Sequence, residues 1–133
     1  MIRTREVSPR TAITSRLAPA AIGPYSQAIK VGNLLFCSGQ IALDPTTQRL
    51  IEGGVAEQTH RTLENIGALL SAACLGYEHV VQCRIYLTDI NEYAQVNEVY
   101  SNYFDDQPPC RETMEVQALP RGAAIAISCI AVS

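Results

Sequence analysis

The chain has 133 residues, 47% of them hydrophobic and 17% charged, with a formal net charge of −3. That length and polarity describe one globular domain, residues 1–133, with a core of its own, and exclude a disordered polymer. The acidic balance argues against a nucleic-acid partner, which needs a basic face. No apolar run nears the ~20 residues of a membrane helix.

The opening stretch, MIRTREVSPRTAITSR, carries four arginines and one acid. It is faintly similar to a mitochondrial targeting segment, but it lacks an amphipathic period and is interrupted by Pro9. Residues 1–10 are expected to form a tail or N-terminal extension. Nothing here has the regions of a secretory signal. A cytoplasmic location is expected, with a mitochondrial one as the alternative.

SQAIKVGNLLFCSGQIAL reads as two apolar strands joined by a tight turn at Gly32-Asn33. Gly39, near the end of the second strand, marks a bulge or a close approach of another backbone or a ligand. DPTTQ is a turn. From Val55 to Leu75 the positions Thr59, Leu63, Ile66, Leu70 and Ala73 recur at spacings of four and three, which predicts an amphipathic helix capped by Gly76. His60 falls on its surface. In HVVQCRIYLT, Val81, Cys83, Ile85 and Leu87 alternate with Gln82, Arg84 and Tyr86, the pattern of a strand. Asp89 with Glu92 resembles a capping box, and Tyr93, Val96, Tyr100 and Tyr103 line a second helix. After Pro108-Pro109 come two more strands, Arg111–Leu119 and Ala124–Val132, joined by a turn at Pro120-Arg121-Gly122. The order defines an α+β domain, a sheet with two helices on one face.

The last strand is the anomaly. Ala124–Val132 holds no charge and does not alternate, so both faces must be covered. The helices cover one. A second copy of the chain is the simplest cover for the other. The five cysteines form no CxxC, and with only His60 and His79 beside them no zinc spacing can be written. They read as small core residues, with no metal and no cofactor implied. Cys110, next to Arg111, is the one candidate reactive thiol, but alternation points it to the opposite face.

Three stretches together resemble the Rid (YjgF) family of reactive intermediate deaminases: APAAIGPYSQAIKVGNLLFCSGQIALDP, YLTDINEYAQVNEVYSNYF and PPCRETMEVQALPRG. The similarity runs from about Ala18 to Val132. It implies a chorismate-mutase-like fold with a mixed sheet, assembled as a homotrimeric barrel with ligand clefts between subunits. It also implies cofactor-free hydrolysis of 2-imino or enamine acids to 2-oxo acids and ammonia.

By that resemblance Arg111 holds the substrate carboxylate, a task that suits its planar pair of donors. Tyr25 lines the cleft. Ser38 and Gly39 contribute a hydroxyl and a backbone N–H, and Asn97 and Tyr100 are helix positions near the site. Thr113 stands where the family carries a cysteine. The expected catalytic set is Arg111, Thr113 and Tyr25, and the expected binding set is Arg111, Ser38, Gly39, Tyr25, Asn97 and Tyr100.

The glutamate that activates water in the deaminases corresponds to Ala126. Neither Glu112, which alternation points away from Arg111, nor Glu115, roughly 13 Å along the strand, replaces it. Weakened hydrolysis therefore stands beside two alternatives: a small-acid binding or chaperone-like trimer, and a biosynthetic enzyme steering a reactive imine. Ribonuclease activity is also associated with the family, and the acidic balance argues against it here. The partners expected are a small carboxylate ligand and two further copies of the chain, with neither nucleic acid nor membrane.

Overall fold

The computed structural model describes residues 9–133; of the tail expected over residues 1–10, residues 1–8 lie outside the described residues and Arg10 opens the first strand. Six strands form one mixed sheet: β1 Arg10–Ile13, β2 Ala28–Val31, β3 Leu34–Gln40, β4 Val80–Leu87, β5 Cys110–Glu115 and β6 Ile125–Val132. Two helices, α1 Val55–Ala72 and α2 Tyr93–Tyr100, accompany it. The strand order is β1-β2-β3-β6-β4-β5. All neighbours are antiparallel except β4 and β5, which run parallel because α2 lies between them in the chain. The β2–β3 turn falls at Gly32, whose φ of 57° favours glycine.

The inner face of the sheet packs on α1. Thr59, Leu63, Ile66, Leu70 and Ala73 are all buried, as the helical period requires. They meet Leu35, Ile85 and Ile127, each fully buried, from the three central strands. Two polar residues of α1 reach out of that core. Asn65 donates through Nδ2 to the carbonyls of Ile41 (3.1 Å) and Leu43 (3.0 Å), and Gln58 accepts from the Ala124 amide (2.8 Å). They fix the segment that follows β3 and the entry to β6. Both border the site described below.

Four local expectations change. Cys74, not Gly76, takes the left-handed conformation that ends α1 (φ 61°), and the Leu75 amide closes the turn on the Leu70 carbonyl at 2.8 Å. A bulge between Val80 and Gln82 turns Val80 inward and leaves Val81 46% exposed. β5 stops at Glu115 rather than Leu119 because its partner β4 ends at Leu87, whose carbonyl accepts from the Val116 amide at 2.7 Å; the Glu115 carboxylate turns to accept from the Ile90 amide at 3.0 Å. Asp89 caps the turn before α2 by accepting from the Asn91 amide (3.0 Å), without the reciprocal Glu92 contact of a capping box.

The cysteines divide. Cys37, Cys129 and Cys83 lie in register across β3, β6 and β4 and are buried, whereas Cys74 and Cys110 are exposed. A hydrogen bond with Cys37, together with burial, pushes the Cys129 thiol up. Such protonated thiols in an apolar row are inert.

The outer face is apolar and uncovered within one chain. Leu34 is 39% exposed, Phe36 42% and Met114 44%. Leu34 and Phe36 pair with Val132 and Ile130 of β6, so the patch continues across strands. Among the described residues no helix is long and apolar enough to cross a membrane.

Candidate functional site

Arg111 stands on the edge strand β5, in register with the buried Cys83, and so faces inward under α2. Three α2 residues with helical spacing receive it. Its Nη2 donates to the Tyr93 hydroxyl (2.8 Å) and to Oδ1 of Asn97 (2.8 Å). Its guanidinium carbon lies 5.3 Å from the Tyr93 ring centroid and 4.8 Å from that of Tyr100, within cation–π range. Two hydrogen bonds and two neighbouring rings fix the orientation of the guanidinium.

The hydrogen-bond roles follow from arginine having donors only. Tyr93 and Asn97 accept from it, so the Tyr93 O–H and the Asn97 amide hydrogens stay free to donate. Among the described residues the Nη1 and Nε groups of Arg111 have no hydrogen-bond partner, and no carboxylate lies within 4.0 Å. The buried Thr113 Oγ1 has no partner either, and the Tyr100 hydroxyl, beside the Cys83 thiol and Arg111, makes no hydrogen bond of ordinary length. Burial, then the Cys83 thiol beside it, push the Tyr100 phenol far above its ordinary value, and burial raises Cys83 as well. Both stay protonated at neutral pH, which excludes either as a base and leaves them as donors. A positive charge ringed by unused donors is a cradle for an anion.

The remaining residues singled out in the sequence gather elsewhere. Ser38 and Gly39 form the bulge in β3 between Cys37 and Gln40. The Ser38 hydroxyl donates to the Ser26 carbonyl (2.6 Å), which leaves its lone pairs to accept from a ligand or water. A Cβ on Gly39 would meet nothing within 4 Å, so no contact inside the chain demands glycine there. Tyr25 is 52% exposed, and its hydroxyl accepts from the Ile22 amide (3.3 Å). Ala126 precedes Ile127, the β6 partner of Gln40, and so adjoins this bulge; it faces outward, opposite in parity to Ile125 and Ile127. Together with Pro120 and Arg121, Tyr25 and Gly39 line a pocket of about 420 Å³.

Within one chain the two groups do not meet. Two strands, β6 and β4, separate β3 from β5, three inter-strand steps or about 14 Å. Arg111 and Ala126 also lie on opposite faces of the sheet. Glu112 faces away from Arg111 and lies 3.9 Å from Arg84, and Cys110, also on the outer side, donates to the Val81 carbonyl (3.2 Å). Sequence reasoning placed Tyr93 in the core stripe of α2 and missed its contact with Arg111. The spacing 93, 97, 100 is the signal, since it puts all three on one helical face.

The chain is thus a small α+β domain with a fixed cation on the edge strand β5 and an open tyrosine–glycine pocket beside the interior strand β3. Among the described residues no cluster of His, Cys, Asp or Glu is placed to hold a metal. The chain belongs to the Rid (YjgF) family, matching over residues 15–133 the model described as Endoribonuclease L-PSP. It is 52% identical over 126 residues to Protein DfrA of Myxococcus xanthus, covering 93% of this chain and 96% of that one. It is 44% identical over 123 residues to the 2-iminobutanoate/2-iminopropanoate deaminase of Mus musculus, with coverage of 92% and 91%. Among solved structures, RidA of an Antarctic Psychrobacter matches with a TM-score of 0.89 at 39% identity, covering 92% of this chain and 99% of its own. Escherichia coli TdcF with bound serine matches with a TM-score of 0.88 at 36% identity, with coverage of 92% and 98%.

Proposed function

We propose that the protein binds small 2-imino acids by their carboxylate at Arg111 and hydrolyses them to the 2-oxo acid and ammonia. The observation that carries this reading is the Arg111 cradle, a fixed guanidinium with free Nη1 and Nε donors among unpartnered hydroxyls. The names of the mammalian relatives support the substrate class, and serine bound to TdcF shows a small amino acid held by a relative.

One water adds to the imine carbon, the C–N bond breaks, and the nitrogen leaves as ammonia once protonated. Arg111 holds the carboxylate, the Thr113 hydroxyl lies two residues further along the same strand face, and Ser38 offers lone pairs to the water. With Ala126 in place of an acid, the rate gain comes from positioning rather than from a general base. The same alanine favours a second reading, a trimer that binds the acid or steers the imine into condensation without turnover.

A ligand a few ångströms long cannot touch two groups about 14 Å apart on opposite faces of one sheet. The cleft is therefore completed by a second copy, in a homotrimer whose contacts cover Leu34, Phe36 and Met114. Exposed apolar patches of this kind are unusual on monomers. Light scattering at micromolar concentration is expected to give three times the 14.5 kDa chain mass; a stable monomer would sink the shared cleft. To test the chemistry, 2-iminopropanoate is generated in situ from alanine and an amino-acid oxidase. The protein is expected to shorten its lifetime, and an unchanged decay with intact 2-oxobutanoate binding would move the non-hydrolytic reading ahead.

A further inference from the structure

The pocket that holds Tyr25 and Gly39 is mostly apolar, with Ile22, Ile41 and Pro120 on its walls, and none of its lining residues is acidic. Its one charge is Arg121. That residue occupies the third position of the turn Leu119–Gly122, which the Gly122 amide closes on the Leu119 carbonyl at 3.3 Å. Its backbone is left-handed (φ 62°, ψ 16°), a conformation in which glycine is the unstrained choice for this kind of turn. A long cationic side chain thus stands where the backbone favours none, and strained positions of this kind cluster at ligand sites.

The Arg121 guanidinium is anchored as well as present. Its Nη1 donates to the Gln48 carbonyl (3.1 Å), which ties it to the loop beyond β3. Gln48 is itself left-handed (φ 59°). Among the described residues no carboxylate lies within 4.0 Å of Arg121. Arg121 shares its pocket with Tyr25 and Gly39, the residues that the proposed function places in the shared cleft; on that reading the cleft holds two guanidinium groups, Arg111 from one copy and Arg121 from the other, with no paired acid at either among the described residues.

A monocarboxylate balances only one of them. We propose that Arg121 is a second anion-binding group of the cleft and selects ligands whose side chain ends in a second acidic group, namely 2-imino and 2-oxo dicarboxylates. The inference rests on the reading of Arg111 as the carboxylate anchor and adds the substrate class to it. The apolar walls pack the methylene carbons of such a side chain while Arg121 pairs with its terminus.

The test uses calorimetry on the assembled protein with 2-oxobutanoate and 2-oxoglutarate. The protein is expected to bind the dicarboxylate about tenfold or more tightly, the scale of one added charge-assisted hydrogen-bonded pair. In Arg121→Asn, which removes the charge with a residue that tolerates the left-handed backbone, the ratio of the two affinities is expected to fall toward unity. Arg121→Gln checks that the result does not depend on the asparagine. Binding of 2-oxobutanoate without preference for 2-oxoglutarate, or an unchanged ratio in both variants, overturns the proposal alone. Failure of both acids to bind the parent protein overturns the Arg111 reading along with it.

Discussion

Arg111→Ala is expected to weaken 2-oxobutanoate binding by about 2–4 kcal/mol, roughly 30- to 1,000-fold, in calorimetric titrations. The magnitude follows from what the substitution removes: a fixed cation that receives the carboxylate in a partly desolvated cradle. It also strips Tyr93 and Asn97 of their common donor and leaves the Tyr100 ring without its cation. Arg111→Lys is expected to fall between parent and alanine, because an ammonium keeps the charge but loses the planar fork that two α2 rings hold in place. Arg111 faces α2 rather than the apolar outer face, so the oligomeric mass should not change. Unchanged affinity in the alanine variant, with that mass preserved, would remove Arg111 from ligand binding.

The second large effect is a gain. Ala126→Glu is expected to raise imine hydrolysis by about a hundredfold, the low end of what a positioned general base contributes. The side chain would leave β6 on the outer face beside the Ser38–Gly39 bulge, where the cleft water is to be held. Two features keep the gain small. Ala126 is only 8% exposed and pairs with the half-buried Tyr86, so a longer side chain must displace neighbours. Burial also raises the pKa of a new carboxylate, so less of it is in the basic form at low pH. The sign is fixed by that direction: activity should climb with pH as the carboxylate loses its proton and level off above its pKa. A folded variant of parental oligomeric mass with no gain from pH 5 to 9 would favour the non-hydrolytic reading.

Much of the fold was legible because it is written in local patterns. The period of α1, the Gly32 turn and the Pro120–Gly122 turn each depend on residues a few positions apart, and each appears as expected. The charge-free run of β6 even implied a sheet covered on both sides, since no nearby residue relieves its apolarity. Arg111 and the other proposed site residues came from resemblance to a family, with chemistry that made the assignment reasonable. Tyr93 did not, because an aromatic at helical spacing looks the same whether it packs a core or braces an arginine.

Only the tertiary structure decided where those residues stand relative to one another. The insertion of β6 between β3 and β4, and the parallel pairing of β5 with β4, put the strand of Arg111 three inter-strand steps, about 14 Å, from the strand of Ser38 and Gly39. The bulge at Val80–Gln82 exchanged which valine is buried, and Cys74 rather than Gly76 ended α1. Register and strand order are set by pairings between segments as many as a hundred residues apart. A side-chain period of two names the members of each face but cannot say which face meets the helices. That choice is made when the apolar stripe of α1 and the inner rows of the sheet close on each other, and it turns Arg111 toward α2 and Ala126 away from it.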